Sequence, residues 1–225
     1  MTTYYNINPQ FYVSVDCIIF GFDKGSLKLL LLKRNFEPAK GSWSLMGGFV
    51  QDGESVDDAA KRVLAELTGL ENVYMEQVGT FGEVDRDPGE RVISVAYYAL
   101  ININEYDRNL VQQHNAHWAE INEIPPLVFD HPQMVKQARI MLQKKASSEP
   151  IGFNLLPSLF TLFQLQSLYE AIYGEPLEKR NFRKRVADLN YIEKTDKIDK
   201  TGSKRGAALY KFNENAYRKA PKFKL

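Results

Sequence analysis

The sequence predicts an α+β chain in two parts, and three features point there. The chain opens on apolar runs broken by a tight turn, a helical apolar pattern follows a glycine-rich segment, and the charge changes sign along the chain. Its 225 residues carry 29 Lys+Arg against 28 Asp+Glu, a net of +1, with 44% hydrophobic and 25% charged residues. That composition is globular and excludes a disordered or collagen-like chain. A net charge near zero argues against a nucleic-acid partner only if charge is evenly spread. Residues 148–225 hold 15 Lys+Arg and 9 Asp+Glu, a net of +6, while residues 1–147 hold 14 and 19, a net of −5. The segment Lys144-Lys145-Ala146-Ser147-Ser148-Glu149-Pro150 reads as a linker, which sets the expected domains at 1–147 and 148–225. A basic domain of that size is a candidate for nucleic-acid binding.

Within the first part, residues 11–22 and 26–33 are rich in Val, Ile, Leu and Phe around Asp23-Lys24-Gly25, a strand, turn and strand. The single cysteine, Cys17, sits inside the first run, so it reads as a core thiol and excludes an intramolecular disulfide. From Ser55 to Leu67 the apolar residues Val56, Ala59, Ala60, Val63, Leu64 and Leu67 recur at helical spacing. Ser55 is placed to cap this helix, Asp57 and Asp58 favour its N-terminal dipole, and Gly69 ends it. Residues 72–84 and 91–103 read as strands around the turn Asp85-Arg86-Asp87-Pro88-Gly89, and 131–145 as a helix. His114, His117 and His131 lie in different loops without a zinc-ligand pattern. The N-terminus lacks the pattern of a signal peptide, and no apolar stretch approaches the ~20 residues of a membrane span. The chain is expected to be soluble and cytoplasmic, with no membrane partner and no cofactor.

The second part changes character. Phe160 to Gly174 reads as a helix with Leu162, Leu165, Leu168, Ala171 and Ile172 on its apolar side. A turn with Gly174 and Pro176 follows, then Leu177–Arg180 as a short second helix and Asn181–Leu189 as a third. Phe182, Val186 and Leu189 form the third helix's buried stripe, which turns Arg183 and Lys184 outward with Arg180 and Asp188 toward the flank. Tyr191–Lys194 and Ala207–Phe212 bracket a basic turn, a hairpin with Lys204 and Arg205 at its tip. Helix, turn, helix and basic hairpin in that order read as a winged helix-turn-helix. Arg180, Asn181, Arg183, Lys184, Lys204 and Arg205 are then the residues expected on double-stranded DNA: arginine reads guanine in the major groove and lysine meets phosphate. The competing reading, a solvated basic face, explains the charge but not that order of elements.

One motif in the first part is specific. Gly48 is followed after five residues by Glu54, after seven more by Arg62, and Gly69-Leu70 close the pattern. This spacing resembles the Nudix box, and Trp43-Ser44-Leu45-Met46-Gly47-Gly48 resembles the approach to it. Trp118 and Leu127–His131 resemble the end of the same domain, so the likeness covers residues 10–145 and implies a Nudix α/β/α sandwich. In Nudix hydrolases the glutamates after the arginine bind a divalent metal. Those positions here are Val63, Glu66 and Leu67, so two of three carboxylates are apolar and no metal site is expected. Glu66 lies one turn after Arg62 and reads as its partner. Gly48, Glu54, Arg62, Glu66 and Gly69 thus form a residual box with no catalytic residues.

A degenerate Nudix domain followed by a winged helix resembles the NrtR-type transcriptional regulators. Leu177–Lys184 and Gly206–Tyr210 match that family's helix-turn-helix and wing. The resemblance implies a homodimeric repressor whose Nudix domain binds a small effector, ADP-ribose in some branches and a pentose in others, controlling NAD or sugar-use genes. The lost carboxylates and the −5 charge favour a neutral sugar, L-arabinose first. Trp43, Tyr97, Tyr98 and Trp118 are the candidate walls of its pocket, core being their other reading. An active hydrolase of nucleoside diphosphate derivatives, an ADP-ribose-responsive regulator of NAD metabolism and an interaction module without DNA binding are the alternatives.

Overall fold

A computed structural model describes residues 4–104, 108–201 and 205–219. After a 3-10 turn at Tyr4–Ile7, the first part runs β1 (Tyr12–Asp23), β2 (Ser26–Lys33), β3 (Trp43–Ser44), β4 (Met46–Phe49), α1 (Val56–Thr68), β5 (Tyr74–Phe81), β6 (Val92–Leu100), α2 (Arg108–Gln113), β7 (Ala116–Glu120) and α3 (His131–Ala146). The strands form one mixed sheet in the order β3-β2-β1-β6-β5, with β4 paired to β1 and β7 to β2. β1 and β6 run parallel, from Tyr12 opposite Val92 to Phe20 opposite Leu100.

Alternation along β1 builds both faces of the sandwich, because successive strand side chains point to opposite sides. Val15, Cys17 and Ile19 pack with Ala59, Ala60, Val63, Leu64 and Leu67 of α1. Ile18, Phe20 and Phe22 pack with Met134, Val135, Ala138 and Leu142 of α3. Each large aliphatic side chain fully buried here stabilises the fold by roughly 1.5–3 kcal/mol. The ends of α1 are set by its sequence: the Ser55 hydroxyl accepts from the Asp58 N–H, and Gly69 follows the helix in the left-handed region at φ 71°. Burial in this core pushes the Cys17 thiol pKa far up, with the Asp16 carboxylate adding to the effect.

The segment around Ser147 is packed on both sides. α3 runs through Ala146, whose side chain is fully buried, and a turn leads to a 3-10 helix at Ile151–Leu155. Ile151 and Leu155 join the apolar cluster beneath α3, which continues into the second part through Leu165, Leu168, Tyr169, Ile172, Phe182 and Val186. The two charge-distinct parts therefore share one core.

The second part runs β8 (Phe160–Thr161), α4 (Leu162–Tyr173), α5 (Lys179–Ala187), β9 (Ile192–Asp199), β10 (Ala207–Phe212) and α6 (Glu214–Tyr217). Its three strands order as β8-β10-β9, the sheet of a winged helix. Two details differ from the sequence reading. Phe160 and Thr161 pair with Tyr210 and Leu209, so α4 starts at Leu162 with Thr161 and Gln164 forming a capping box. The short helix expected at Leu177–Arg180 does not form: Pro176 precedes it, and the extended Glu178 caps α5 by accepting from the Arg180 and Asn181 N–H groups. Among the described residues no helix is long and apolar enough to cross a membrane.

Candidate functional site

The residual box is built on α1. Gly48 faces the helix so closely that a Cβ there would stand 2.9 Å from a methyl of Val63. Arg62 donates from Nε to Glu54 at 3.0 Å and from Nη2 to the other carboxylate oxygen at 2.7 Å. Its Nη2 also donates to the Phe49 carbonyl at 3.0 Å. The chief partner of Arg62 is therefore Glu54; the expected partner Glu66 lies at a longer 3.5 Å with its side chain 57% exposed. The hydrogen bonds from Arg62, and then from the Gln51 N–H, hold the Glu54 carboxyl below its usual range. Val63 and Leu67 are both buried in the core beneath the sheet. Of the box carboxylates, Glu66 is exposed and Glu54 is engaged by arginine, while Val63 and Leu67 supply no oxygen ligand.

On the opposite edge of the box lies a cavity of about 320 Å³. It is lined by residues of β1, β2 and β4, by three loops that carry Arg34, Arg86 and Phe129, and by His131 at the start of α3. Arg86 is buried and binds Asp130 through two hydrogen bonds of 2.9 Å, with Asp16 at 3.5 Å. Burial opposes its charge, but the Asp130 contact outweighs that and raises its pKa. His131 accepts the Leu45 N–H at Nδ1 (3.0 Å) and directs Nε2 toward Asp16 at 3.6 Å. Desolvation lowers its pKa despite the neighbouring Asp16 and Asp130.

Arg34 is treated differently. Its guanidinium stands 4.2 Å from the Phe36 ring centroid and 5.3 Å from that of Phe129. Nε donates to the Pro38 carbonyl at 2.7 Å. Phe129 reaches this position with φ 54°, a left-handed conformation that costs a non-glycine residue about 1–3 kcal/mol. Among the described residues no carboxylate forms an ion pair with Arg34. A cation set against two aromatic rings on a cavity wall is chemically suited to an anion with an apolar group beside it.

The four aromatic residues expected to wall a pocket do not line this one. Tyr98 is fully buried and donates its hydroxyl to Glu76 at 2.7 Å, beside Tyr74 and Lys145. Tyr97 is buried and donates to Asp57. Trp118 packs against Gly21 on β1, and Trp43 stands edge-on to His117 at 5.5 Å. The aromatic walls come instead from Phe36, Phe49 and Phe129. Nothing periodic marks them, because Phe36 and Phe129 sit in loops and Phe49 ends β4, far apart in sequence. The nearest signal is the turn Asp85–Gly89, whose buried Arg86 is at odds with a solvent turn.

On the second part, α5 buries Phe182 and Val186 and exposes Arg180, Asn181, Arg183, Lys184 and Arg185. With 3.6 residues per turn, Arg180, Lys184 and Ala187 lie opposite the buried stripe. Asn181 and Asp188 take one flank and Arg183 the other. Arg180 is thus more central than the sequence reading placed it. Arg205 is exposed at the tip of the β9–β10 hairpin, while Lys204 lies outside the described residues. Arg185, which sequence reading left out, lies beside the ring of Tyr173 along a smaller cavity.

A mixed-sheet sandwich carrying a Nudix box, joined to a winged helix with a basic outer helix, defines a regulator-like class of two-part protein. Family models agree: a NUDIX domain matches residues 10–140 and an NrtR DNA-binding winged helix domain matches residues 152–212. The ADPR responsive transcriptional repressor NtrR of Acinetobacter baylyi is 37% identical over 208 residues, covering 91% of this chain and 83% of that protein. Shewanella oneidensis NrtR complexed with a 27mer DNA superposes with a TM-score of 0.81 at 30% identity, covering 92% of this chain and 95% of that one. The NUDIX domain of the same Shewanella protein complexed with ADP ribose matches at a TM-score of 0.52 and 30% identity, covering 62% of this chain and 93% of that one. The chain belongs to the NrtR-type family, a Nudix domain with a C-terminal NrtR winged helix.

Proposed function

We propose that the chain is a transcriptional repressor that binds double-stranded DNA through α5 and the wing, under the control of ADP-ribose held in the 320 Å³ cavity. Its two functional parts join near Ser147, it acts as a homodimer matched to twofold operators, and it regulates genes of NAD metabolism. The single observation that carries the effector reading is Arg34, a cation on the cavity wall that forms no ion pair among the described residues and lies against the rings of Phe36 and Phe129. A pyrophosphate needs such a cation, and a purine finds apolar faces beside it. This reverses the lean toward a pentose. The −5 of the first part is an average over 147 residues, whereas a ligand meets only the groups lining its cavity. The Acinetobacter repressor, named for its response to ADPR, supports the same choice.

Calorimetric titration of the full chain tests the reading. Heat is expected with ADP-ribose and none with L-arabinose or D-xylose; a pentose response alone would overturn it. Arg34→Ala is expected to weaken ADP-ribose binding by about 10- to 100-fold, the range for hydrogen bonds to a charged group. The domain is further proposed to bind without hydrolysing, because Val63 and Leu67 put methyl groups where metal-binding carboxylates stand in the hydrolases. Release of AMP from ADP-ribose in Mg²⁺ would contradict that. On DNA, Arg180, Asn181, Arg183, Lys184 and Arg205 are the proposed contacts, with Lys204 beside them in sequence.

A further inference from the structure

The cavity and the winged helix are joined by one element, α3. Its first turn is cavity wall: Asp130, immediately before it, holds Arg86, and His131 receives the Leu45 N–H. Its far end touches the other part. Gln143 donates from Nε2 to the Ile172 carbonyl at 2.9 Å and to the Tyr173 carbonyl at 3.4 Å. Those carbonyls end α4 and have no acceptor role left inside the helix. Gly174 caps α4 through its own N–H to Glu170, and a side chain from the effector half satisfies the last two carbonyls.

The connection continues to the DNA-reading helix. Gln166 donates from Nε2 to the Leu177 carbonyl at 3.0 Å, and the Leu177 N–H donates to Glu170 at 3.0 Å. The turn into α5 is therefore bonded to α4, and the two helices are tied as one unit. Between its ends α3 is packed through Met134, Val135, Ala138 and Leu142, all buried. A close-packed helix transmits displacement rather than absorbing it.

From this arrangement we infer that Gln143 is the coupling residue of the regulator: a positioning group that passes the state of the cavity, through α3, to α4 and α5. The inference rests on the ADP-ribose reading of the cavity. Ligand contacts that compete for Arg86 or His131 change the hold on Asp130 and the start of α3. The far end moves the Gln143 amide against the α4 carbonyls. Coupling of this kind is reciprocal, so DNA must alter ADP-ribose affinity by the same factor.

The test uses the full chain and a duplex that the chain itself selects from a random library. Fluorescence anisotropy measures DNA affinity with and without saturating ADP-ribose, and calorimetry measures ADP-ribose affinity without DNA. Wild type is expected to show a ligand effect of roughly 5- to 150-fold on DNA affinity, the ordinary range of two-site coupling. Gln143→Leu keeps the aliphatic stem and removes the donor. It is expected to leave each separate affinity within about 2-fold while the ligand effect falls below about 2-fold. Gln143→Lys restores a donor toward the helix end and is expected to retain the effect. A full ligand effect in Gln143→Leu overturns the inference. So does a folded Gln143→Lys without the effect, and this variant decides the matter should Gln143→Leu fail to fold. Absence of any ligand effect in wild type, by contrast, overturns the ADP-ribose reading itself.

Discussion

Arg86 in the first part is buried, doubly bonded to Asp130 and close to Asp16, whereas Arg180, Arg183, Lys184 and Arg185 on α5 stand exposed and outside any ion pair among the described residues. The same side-chain chemistry thus does two jobs. A neutralised, buried arginine fixes the shape of a cavity, and an unneutralised, solvated one is available to an anion from outside. Arg34 combines the two, fixed by aromatic rings and a carbonyl, with Asp87, Asp16 and Glu37 acting on it from beyond ion-pair distance. The difference teaches that partners and burial locate function here better than net charge does.

The largest expected effect comes from breaking the paired side of that contrast. Arg86→Met leaves Asp130 and Asp16 without their cation in the interior. Removing one partner of a buried pair typically costs about 3–5 kcal/mol, so urea unfolding of the full chain is expected to shift by that amount. A shift under about 1 kcal/mol, the level of a surface pair, would mean that water already relieves the site.

Removing exposed cations leaves stability unchanged and shows instead in DNA binding. Arg180→Ala on the central line of α5 is expected to weaken a selected duplex by about 1–3 kcal/mol and to relax base preference at one position. Arg183→Ala, on the flank, is expected to weaken all duplexes alike and to reduce the salt slope by about 1, as loss of a phosphate contact does. The reverse outcome would show that α5 sits rolled in the groove, as the sequence reading of Arg183 had it.

The smallest effect is a pH dependence. Burial holds His131 below its ordinary 6.5. The unfolded chain therefore binds a proton that the folded chain refuses between the folded value and 6.5, and stability rises with pH across that window. Its contribution is complete above about pH 6.5 and lost on acidification below it. The Glu54 and Glu76 carboxyls, both held below their ordinary 4.5, lose their contributions only at lower pH. Denaturant midpoints at pH 7.5 and 5.5 are expected to differ less in His131→Gln than in wild type. Equal differences would remove His131 as the cause.

Local patterns made much of this molecule legible in its sequence. Apolar runs around a tight turn placed β1 and β2, the Ser55 and Gly69 signals bounded α1, motif spacing identified the Nudix box, and the order of elements identified the winged helix. Tertiary approach was not legible. The cavity groups Arg34, Arg86 and Phe129 come from three loops, and no local pattern records that loops converge. The break before α5 turned on whether the Glu178 side chain caps the helix or joins it, a choice between close energies. The packing on either side of Ser147 was not legible, because composition there is polar while the contacts that bury Ala146 and Ile151 lie far along the chain.

As proposed, the cavity walled by Arg34 controls the DNA-reading helix of the same chain. The most direct measurement is the affinity of the full chain for its selected duplex as ADP-ribose is titrated, with L-arabinose in a parallel series. ADP-ribose is expected to change that affinity in wild type, Arg34→Ala to need a much higher concentration for the same change, and arabinose to do nothing. A duplex affinity indifferent to ADP-ribose, or one that moves with arabinose instead, would contradict that control.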